Sequence, residues 1–314
     1  MPWHRLASSC TAAFPETRTK RFWHFLQGLL DTILTYTAAT TDMEKENTPA
    51  AAMDTVKVDT PAEITTTTAK KDIPAEITDA DRRKRMISAI LWDIDDTLLD
   101  FLTAEKAALK ALFPQYGLGE CSDDMIRRYS AINRTYWERL ERGELTKPEV
   151  LVGRFTEFFE KEGLDTSKAP AFNDSYQLSL GDTIAYHDNS LEIVKSLKGR
   201  VKQYAVSNGT VAAQTKKLRL SGLGELMDGI FLSEEIGFEK PSIAFFNKVF
   251  ERLGPVDRQQ LLIVGDSLTS DIKGGNNAGI LTCWYNPKKA AASSDYHIDY
   301  EISDLHEIYQ ILQV

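Results

Sequence analysis

A short apolar run that ends in carboxylates constrains the fold of this 314-residue chain more than any other feature. The run at residues 87–92 contains two Ile and a Leu, as is typical of a strand that is buried on both faces of a parallel sheet. Asp93, Asp95 and Asp96 follow it at once. Carboxylates grouped at the end of a buried strand indicate a site for chemistry.

Strands and helices alternate after residue 187, and this order predicts the fold class. Further apolar strands are predicted at 201–206, 229–232, 261–264 and 280–284, with helical segments between them. Alternating elements of these lengths predict an α/β fold, with a Rossmann-like, doubly wound parallel sheet and right-handed crossovers. In such a sheet, polar residues of a site are expected at the carboxyl ends of the strands.

The segment before residue 187 shows no strand signal and predicts an inserted, all-helical subdomain. A first helix is predicted at 103–113. Five apolar residues fall on one face of a longer second helix: Met125, Tyr129, Ile132, Tyr136 and Leu140. A capping box at 146–149 opens a third helix. We therefore predict an α/β core formed by residues 86–102 and 187–314, and a helical cap formed by residues 103–186.

The first 85 residues differ in composition from the rest. Residues 1–42 are poor in acidic side chains and contain an amphipathic stretch, so organelle targeting and a weakly helical extension both stay open. Residues 41–81 are rich in Thr, Ala, Lys and Glu and hold few large apolar side chains. We predict that residues 1–85 form a disordered or low-complexity extension.

Charge and cysteine content narrow the class of partner. Residues 1–85 hold 12 Lys and Arg and 12 Asp and Glu, so the whole net charge of −9 lies on the predicted folded part, which argues against nucleic-acid binding. Three widely separated cysteines favour neither a disulfide framework nor a zinc site, so a reducing, cytoplasmic compartment is expected. No apolar run approaches the ~20 residues of a membrane helix. Monomer and homodimer stay open.

Four polar segments follow predicted strands or lie in the loops that these strands enter. They are Asp93-Ile94-Asp95-Asp96-Thr97, Val206-Ser207-Asn208, Lys240-Pro241, and Gly265-Asp266-Ser267 followed by Asp271. In this order they resemble the four motifs of the haloacid dehalogenase-like (HAD) superfamily of phosphohydrolases, over residues 87–286. The helical insertion is similar to the C1 cap of that superfamily, which closes over the phosphate site and selects the substrate.

Asp93 and Asp95, two of the three carboxylates of the first segment, are expected to differ in role. An aspartate with an ordinary pKa of roughly 3.9 is ionised at neutral pH, so Asp93 is expected to attack phosphorus without an activating base. Asp95, two residues later, projects in another direction. The expected cycle is that Asp95 protonates the leaving alcohol and then deprotonates the water that hydrolyses the aspartyl phosphate.

The charge of the four segments indicates a metal ion. Asp93, Asp95, Asp266 and Asp271 face only Lys240, so the site would repel a phosphate dianion, and oxygen ligands suit Mg²⁺. The resemblance implies a metal held by the carboxylates of Asp93 and Asp266 and the backbone carbonyl of Asp95, with Asp271 adjacent or bridged by water.

The resemblance also implies which residues hold the phosphoryl group. Ser207 and Lys240 are expected to bind its oxygens and to contribute to catalysis, and Thr97 and Asn208 are expected to bind the phosphate beside them. Lys240 would also offset the charge of Asp93.

Three further segments narrow the branch of the family. Residues 141–146, 206–210 and 233–241 are similar to pyrimidine and noncanonical 5′-nucleotidases, which implies a magnesium-dependent phosphomonoesterase that acts on nucleoside monophosphates. The presence of Asp95 disfavours a dehalogenase, which has no leaving oxygen to protonate. A phosphatase of small sugar or polyol phosphates, a phosphomutase or phosphotransferase, and a catalytically silent binding module stay as alternatives. In the cap, Trp137 is a candidate for stacking on a nucleobase, whereas Tyr136 is expected to pack.

Overall fold

A computed structural model describes residues 86–314 of the chain, and the predictions for residues 1–85 lie outside this range. Its centre is a six-stranded sheet in the order β3-β2-β1-β4-β5-β6, and every neighbouring pair is parallel. The strands are β1 (Ala89–Trp92), β2 (Lys202–Ser207), β3 (Gly229–Leu232), β4 (Leu261–Gly265), β5 (Leu281–Tyr285) and β6 (Tyr300–Ile302). The predicted doubly wound α/β fold is confirmed.

Helices cover both faces of the sheet. The core helices are α5 (Ser190–Leu197), α6 (Val211–Ser221), α7 (Ser233–Ile236), α8 (Ile243–Leu253), α9 (Lys273–Ala278) and α10 (Ile308–Leu312). Side chains of β1 alternate between the two hydrophobic layers: Ile90 and Trp92 pack on one side, and Ala89 and Leu91 on the other. This alternation explains why β1 is apolar at every position.

The helical insertion leaves the core after β1. It contains α1 (Phe101–Gln115), α2 (Asp123–Glu141), α3 (Lys147–Lys161) and α4 (Ala169–Ser179). Its interior is a cluster of aromatic rings, in which Phe113 and Phe172 meet edge to face at 5.8 Å. The predicted capping box is present at the start of α3, where Thr146 and Glu149 bond to each other's backbone. The cap therefore has a hydrophobic core of its own.

Element bounds differ from the prediction in small ways. Strands β2 to β5 lie within one residue of their predicted ends, and α1 begins at Phe101, two residues before its predicted start. Strand β6 and helices α7 and α10 were not predicted. β6 has three residues, of which two are exposed, so it offers no apolar run in the sequence. Within residues 86–314, no helix is both long and apolar enough to cross a membrane.

Candidate active site

Polar side chains from three neighbouring strands lie at one edge of the sheet. Asp93 follows β1, Ser207 ends β2, and Asp266 follows β4. β1 is hydrogen-bonded to β2 on one side and to β4 on the other. Since parallel neighbours end at the same edge, the order of the strands brings these three residues together.

Lys240 reaches the same edge from the loop between α7 and α8. Its ammonium group donates to Asp93 Oδ1 at 2.7 Å, to Asp271 Oδ1 at 2.6 Å and to the Val206 carbonyl at 3.0 Å. These three bonds use all the N–H groups of the amine, and the side chain is 1% exposed. Lys240 therefore joins two carboxylates through charge-assisted hydrogen bonds in a buried position.

Three carboxylates of the site are close enough to share a cation. One oxygen each of Asp93, Asp266 and Asp271 lies within 4.8 Å of the others. Gly265 leaves the room for this arrangement, because a Cβ atom there would lie 2.2 Å from Asp271 Oδ2. The three negative charges face the single ammonium group of Lys240, so this set of oxygen donors fits a hard divalent cation such as Mg²⁺.

Crowding of negative charge changes the titration of the site. Burial raises the pKa of Asp93 to about 7, with the attraction of Lys240 opposing this shift and the charge of Asp271 adding to it. Burial, followed by repulsion from Asp93 and Asp271, also raises the pKa of Asp266 well above its ordinary value. The expectation that Asp93 has an ordinary carboxylate pKa is therefore wrong for the metal-free site, because the sequence does not show its burial.

Thr97 and Asn208, which the sequence predicts to bind phosphate, instead form hydrogen bonds with protein groups. The hydroxyl of Thr97, which is fully buried, donates to Asp93 Oδ2 at 3.1 Å and accepts from the Asp266 backbone N–H at 3.1 Å. The amide of Asn208 donates to the Lys240 carbonyl at 2.9 Å and accepts from the Lys240 N–H at 2.8 Å. Thr97 thus orients the Asp93 carboxylate, and Asn208 fixes the loop that carries Lys240.

Ser207 keeps a hydrogen for a further partner. Its hydroxyl oxygen accepts from the Gly209 backbone N–H at 3.0 Å, and the residue is 2% exposed. The O–H group is not used in that bond, so it can donate to an anion that reaches the strand ends.

Asp95 is held by helix α6. Lys217 Nζ donates to Asp95 Oδ1 at 2.5 Å, and Gln214 Nε2 donates to Oδ2 at 2.6 Å. The side chain of Asp95 is 27% exposed and that of Asp93 is 11% exposed, so Asp95 is the more accessible of these two. Both of its oxygens thus have a donor from the helix that follows β2.

The cap contacts the core at loops of the site, among them the loops after β4 and β2. Glu141, at the end of α2, accepts a hydrogen bond from the Thr269 hydroxyl in the loop after β4, and burial raises the pKa of Glu141 to about 7. Gln177, in α4, accepts from the Thr210 hydroxyl at 2.9 Å in the loop after β2. The cap is therefore seated on the loops that carry the polar segments.

Amide and aromatic groups of the cap lie beside these contacts. Arg154, 1% exposed, donates to Asn133 at 2.7 Å and to Asn173 at 3.2 Å, and Gln177 also donates to Asn173 at 3.2 Å. The guanidinium group of Arg154 lies 5.9 Å from the centre of the Trp137 ring. Trp137 is half-buried and lies one turn before Glu141 on α2, so an aromatic face borders the docked end of the helix.

A cleft of about 640 Å³ separates the cap from the core. Its cap side is residues 140–143 and 145–148, its core side includes residues 238–242, and Lys240 lines it. This volume suits a small organic ligand.

Comparison with known proteins settles the family. A family model for haloacid dehalogenase-like hydrolases matches residues 87–279, which is more than half of the chain. The chain belongs to this family. The match includes all four polar segments, from Asp93 to Asp271, and the whole helical cap of this HAD-like hydrolase.

The similarity to known relatives covers most of the length of each relative. The HAD-hydrolase YfnB of Bacillus subtilis (strain 168) is 38% identical over 225 residues, which are 72% of this chain and 95% of YfnB. A crystal structure of YfnB bound to magnesium matches with a TM-score of 0.68 and 37% identity, over 73% of this chain and all of that one.

Two further relatives carry names of activities. Pyrimidine 5′-nucleotidase PynA of Streptococcus pneumoniae is 33% identical over 229 residues, 71% of this chain and 94% of PynA. A glyceraldehyde 3-phosphate phosphatase of Methanopyrus kandleri is 28% identical over 213 residues, 63% of this chain and 83% of that protein. The chain is therefore a HAD-like hydrolase, and the predicted enzyme class agrees with the relatives.

The motifs of the HAD-like family did not point to every residue of the site. Gln214 and Lys217 were missed, although they lie three residues apart and so share one face of α6. Long polar side chains at this spacing are equally typical of a solvated helix face. Glu141 and Gln177 were missed for the same reason, since nothing in a polar residue at a helix end shows which loop it will meet.

Proposed function

We propose that this protein is a magnesium-dependent phosphomonoesterase that acts through an aspartyl phosphate, with a pyrimidine or noncanonical nucleoside 5′-monophosphate as its substrate. The arrangement around Asp93 is the observation that carries the proposal. Its Oδ1 atom bonds to the amine of Lys240 and its Oδ2 atom to the hydroxyl of Thr97, so the carboxylate is fixed at the strand end. A fixed carboxylate beside a buried cation is suited to nucleophilic attack on phosphorus.

In the first step, a carboxylate oxygen of Asp93 forms a bond to phosphorus while the ester P–O bond breaks. Asp95 gives its proton to the leaving oxygen, so that the leaving group departs as a neutral alcohol and not as an alkoxide. The hydroxyl of Ser207 would donate to a phosphoryl oxygen, and the positive charge of Lys240, whose N–H groups bond to protein oxygens, would help to balance the negative charge there. The products of this step are the alcohol and phosphorylated Asp93.

In the second step, Asp95 is a carboxylate and takes a proton from water. The water oxygen bonds to phosphorus, and the bond between phosphorus and the Asp93 oxygen breaks. Inorganic phosphate leaves, Asp93 is again a carboxylate and Asp95 again carries its proton, so the cycle consumes one water per ester.

The donor set fits Mg²⁺. The carboxylates of Asp93, Asp266 and Asp271 and the backbone carbonyl of Asp95 would hold the ion, as the three clustered carboxylates indicate. When bound, Mg²⁺ supplies positive charge to the phosphoryl group and to the crowded carboxylates. The magnesium bound in the YfnB structure supports Mg²⁺ as the ion.

The cap supports a nucleotide over a smaller substrate. The half-buried Trp137 offers an aromatic face on which a pyrimidine base can stack. The similarity to PynA points the same way. A small sugar phosphate is the second candidate, favoured by the similarity to the glyceraldehyde 3-phosphate phosphatase.

Phosphate release from a set of nucleoside monophosphates, sugar phosphates and polyol phosphates tests the proposal. We expect turnover of pyrimidine nucleotides with Mg²⁺, loss of activity on chelation, and recovery when Mg²⁺ is returned. Release of inorganic phosphate with no acceptor present excludes a phosphomutase or phosphotransferase.

The variant Asp93→Asn is expected to lose activity by at least about a thousandfold while its fold is kept, because the nucleophile is gone. The matched control is Asp96→Asn, three residues later. Asp96 accepts from the Phe101 backbone N–H and has a φ of 60°, a role and a conformation that asparagine also adopts, so activity should stay. Phosphatase activity in Asp93→Asn, or after chelation, would contradict the mechanism.

A further inference from the structure

Helix α6 presents two buried polar side chains to one carboxylate. Lys217 is 1% exposed and Gln214 is fully buried, and each donates to a different oxygen of Asp95, at 2.5 Å and 2.6 Å. An ammonium group so deep in a protein is costly unless it is paired. Among residues 86–314, Asp95 is the carboxylate that pairs with Lys217 within 4.0 Å.

The surroundings are shaped to let these side chains reach Asp95. A Cβ atom on Gly209 would lie 2.3 Å from Gln214 Nε2, so the glycine after the second motif leaves the path of the amide open. On the other side, the amine of Lys217 lies 4.9 Å from the centre of the Phe101 ring, at the start of the first cap helix. A cation over an aromatic face is held in place from that side as well.

Gln214 donates to Asp95 from its amide nitrogen, while its amide oxygen is left without a hydrogen bond. Its Oε1 atom is buried and has no hydrogen-bond partner within the described part of the chain. A buried acceptor without a partner costs about 1–3 kcal/mol. A side chain buried with one end unsatisfied is better explained by the bond that it makes than by packing, since an apolar residue of the same size would avoid this cost.

We propose that Lys217 and Gln214 are positioning residues that fix the side-chain orientation of Asp95, so that its carboxylate stays within reach of the leaving oxygen and of the attacking water. The inference depends on the proposed function, because it concerns the acid and base of that reaction. Proton transfer requires donor and acceptor within hydrogen-bond distance, so a carboxylate free to rotate would be in place only part of the time.

A substrate with a good leaving group separates this role from a general structural one. Departure of p-nitrophenolate from p-nitrophenyl phosphate needs little help from an acid, whereas hydrolysis of phosphorylated Asp93 still needs a base. In Lys217→Met we expect a burst of one nitrophenolate per enzyme, followed by turnover that is slower than wild type by about a hundredfold. Turnover of a nucleoside monophosphate should fall at least as far, because its leaving alcohol requires the proton.

Conservative and matched variants sharpen the test. Lys217→Arg retains a buried cation and should recover part of the steady-state rate. Gln214→Met should show the same burst with a loss of about tenfold, since one hydrogen bond from an uncharged donor is removed. The control is Lys216→Met, because the amine of Lys216 pairs with Asp182 at 2.5 Å and with the Leu178 carbonyl at 2.8 Å, so its kinetics should match wild type.

Three outcomes would overturn the proposal. One is turnover of both substrates by Lys217→Met within about threefold of wild type. Another is equal loss of burst and steady-state rate in a protein that melts normally. If Lys217→Met does not fold, Gln214→Met decides by the same burst measurement. If the wild-type protein releases no phosphate, the proposed function is overturned as well. If the wild type is active and the Lys217→Met variant turns over both substrates at the same rate as wild type, the positioning role alone is overturned.

Discussion

Thr97 links two acidic segments of the site. Its hydroxyl donates to the nucleophile candidate Asp93 and accepts from the backbone of Asp266, so one O–H group relates the loop after β1 to the loop after β4. Lys240 holds the other oxygen of Asp93. With one donor on each oxygen, the carboxylate has a single favoured orientation, and loss of either donor should loosen it.

Replacement of Thr97 with valine tests this link at the residue scale. Thr97→Val keeps the shape but leaves the Asp266 N–H without its acceptor, so the free energy of unfolding in urea should fall by about 1–3 kcal/mol. We also expect a lower kcat, because Asp93 loses a donor. Thr97→Ser keeps the hydroxyl and should keep kcat. A valine variant with the kcat of wild type would show that Lys240 alone orients Asp93.

At the scale of elements, α2 connects the cap to the chemistry. Its last residue, Glu141, bonds to Thr269 beside the carboxylate cluster, and Trp137 lies one turn earlier on the same face. Arg154 packs over the Trp137 ring and bonds to the cap amides. The aromatic face is therefore held at a fixed place relative to the core loops.

We expect Trp137→Ala to raise KM for a pyrimidine nucleoside monophosphate by about tenfold or more, because stacking of a base on an aromatic ring contributes about 1–3 kcal/mol. KM for glyceraldehyde 3-phosphate, which has no ring to stack, should change little. Trp137→Phe retains an aromatic face, so its KM for the nucleotide should lie between those of wild type and Trp137→Ala. Steady-state kinetics with both substrates make the measurement, and an equal rise in KM for both would remove Trp137 from base recognition.

The elements also show why the sequence predicted some of the site and missed the rest. Asp93 and Asp266 directly follow apolar runs, so their place at the carboxyl ends of parallel strands follows from chain order. The contact of Lys217 with Asp95 spans 122 residues and depends on the rotation of α6 about its axis and on the gap at Gly209. Neither the rotation of α6 nor this gap can be predicted from a local sequence pattern. The raised pKa of Asp93 likewise depends on burial by distant segments.

For the whole molecule, the acidic cluster lowers the free energy of unfolding, and favourable interactions elsewhere in the fold must offset this loss. Asp93, Asp266 and Asp271 crowd together against one ammonium group, and burial raises the pKa of both Asp93 and Asp266. A raised carboxylate pKa means that the folded protein binds a proton that the unfolded chain has already released. The stability of the metal-free protein therefore depends on pH and on divalent cations.

The sign of that dependence follows from Asp93, whose pKa moves from 3.8 to about 7 on folding. Between these values the folded state holds more protons than the unfolded state, so the free energy of unfolding decreases as pH rises through this window. With a chelator present, we expect Tm to fall from pH 5 to pH 7.5. Mg²⁺ binds the folded state and should raise Tm most at the upper end, where the carboxylates are ionised.

Asp266→Asn removes one of the three crowded charges and provides the matched variant for this measurement. Its Tm in chelator should fall less steeply with pH than that of wild type, because Asp266, a second carboxyl whose pKa is raised by burial, is no longer there to take up a proton on folding. Its gain in Tm on addition of Mg²⁺ should also be smaller, since a ligand is lost. Differential scanning calorimetry at several pH values, with and without Mg²⁺, gives both quantities. If wild type and Asp266→Asn gain equally from Mg²⁺ at pH 7.5, the ion binds elsewhere and the assignment of this cluster as the metal site fails.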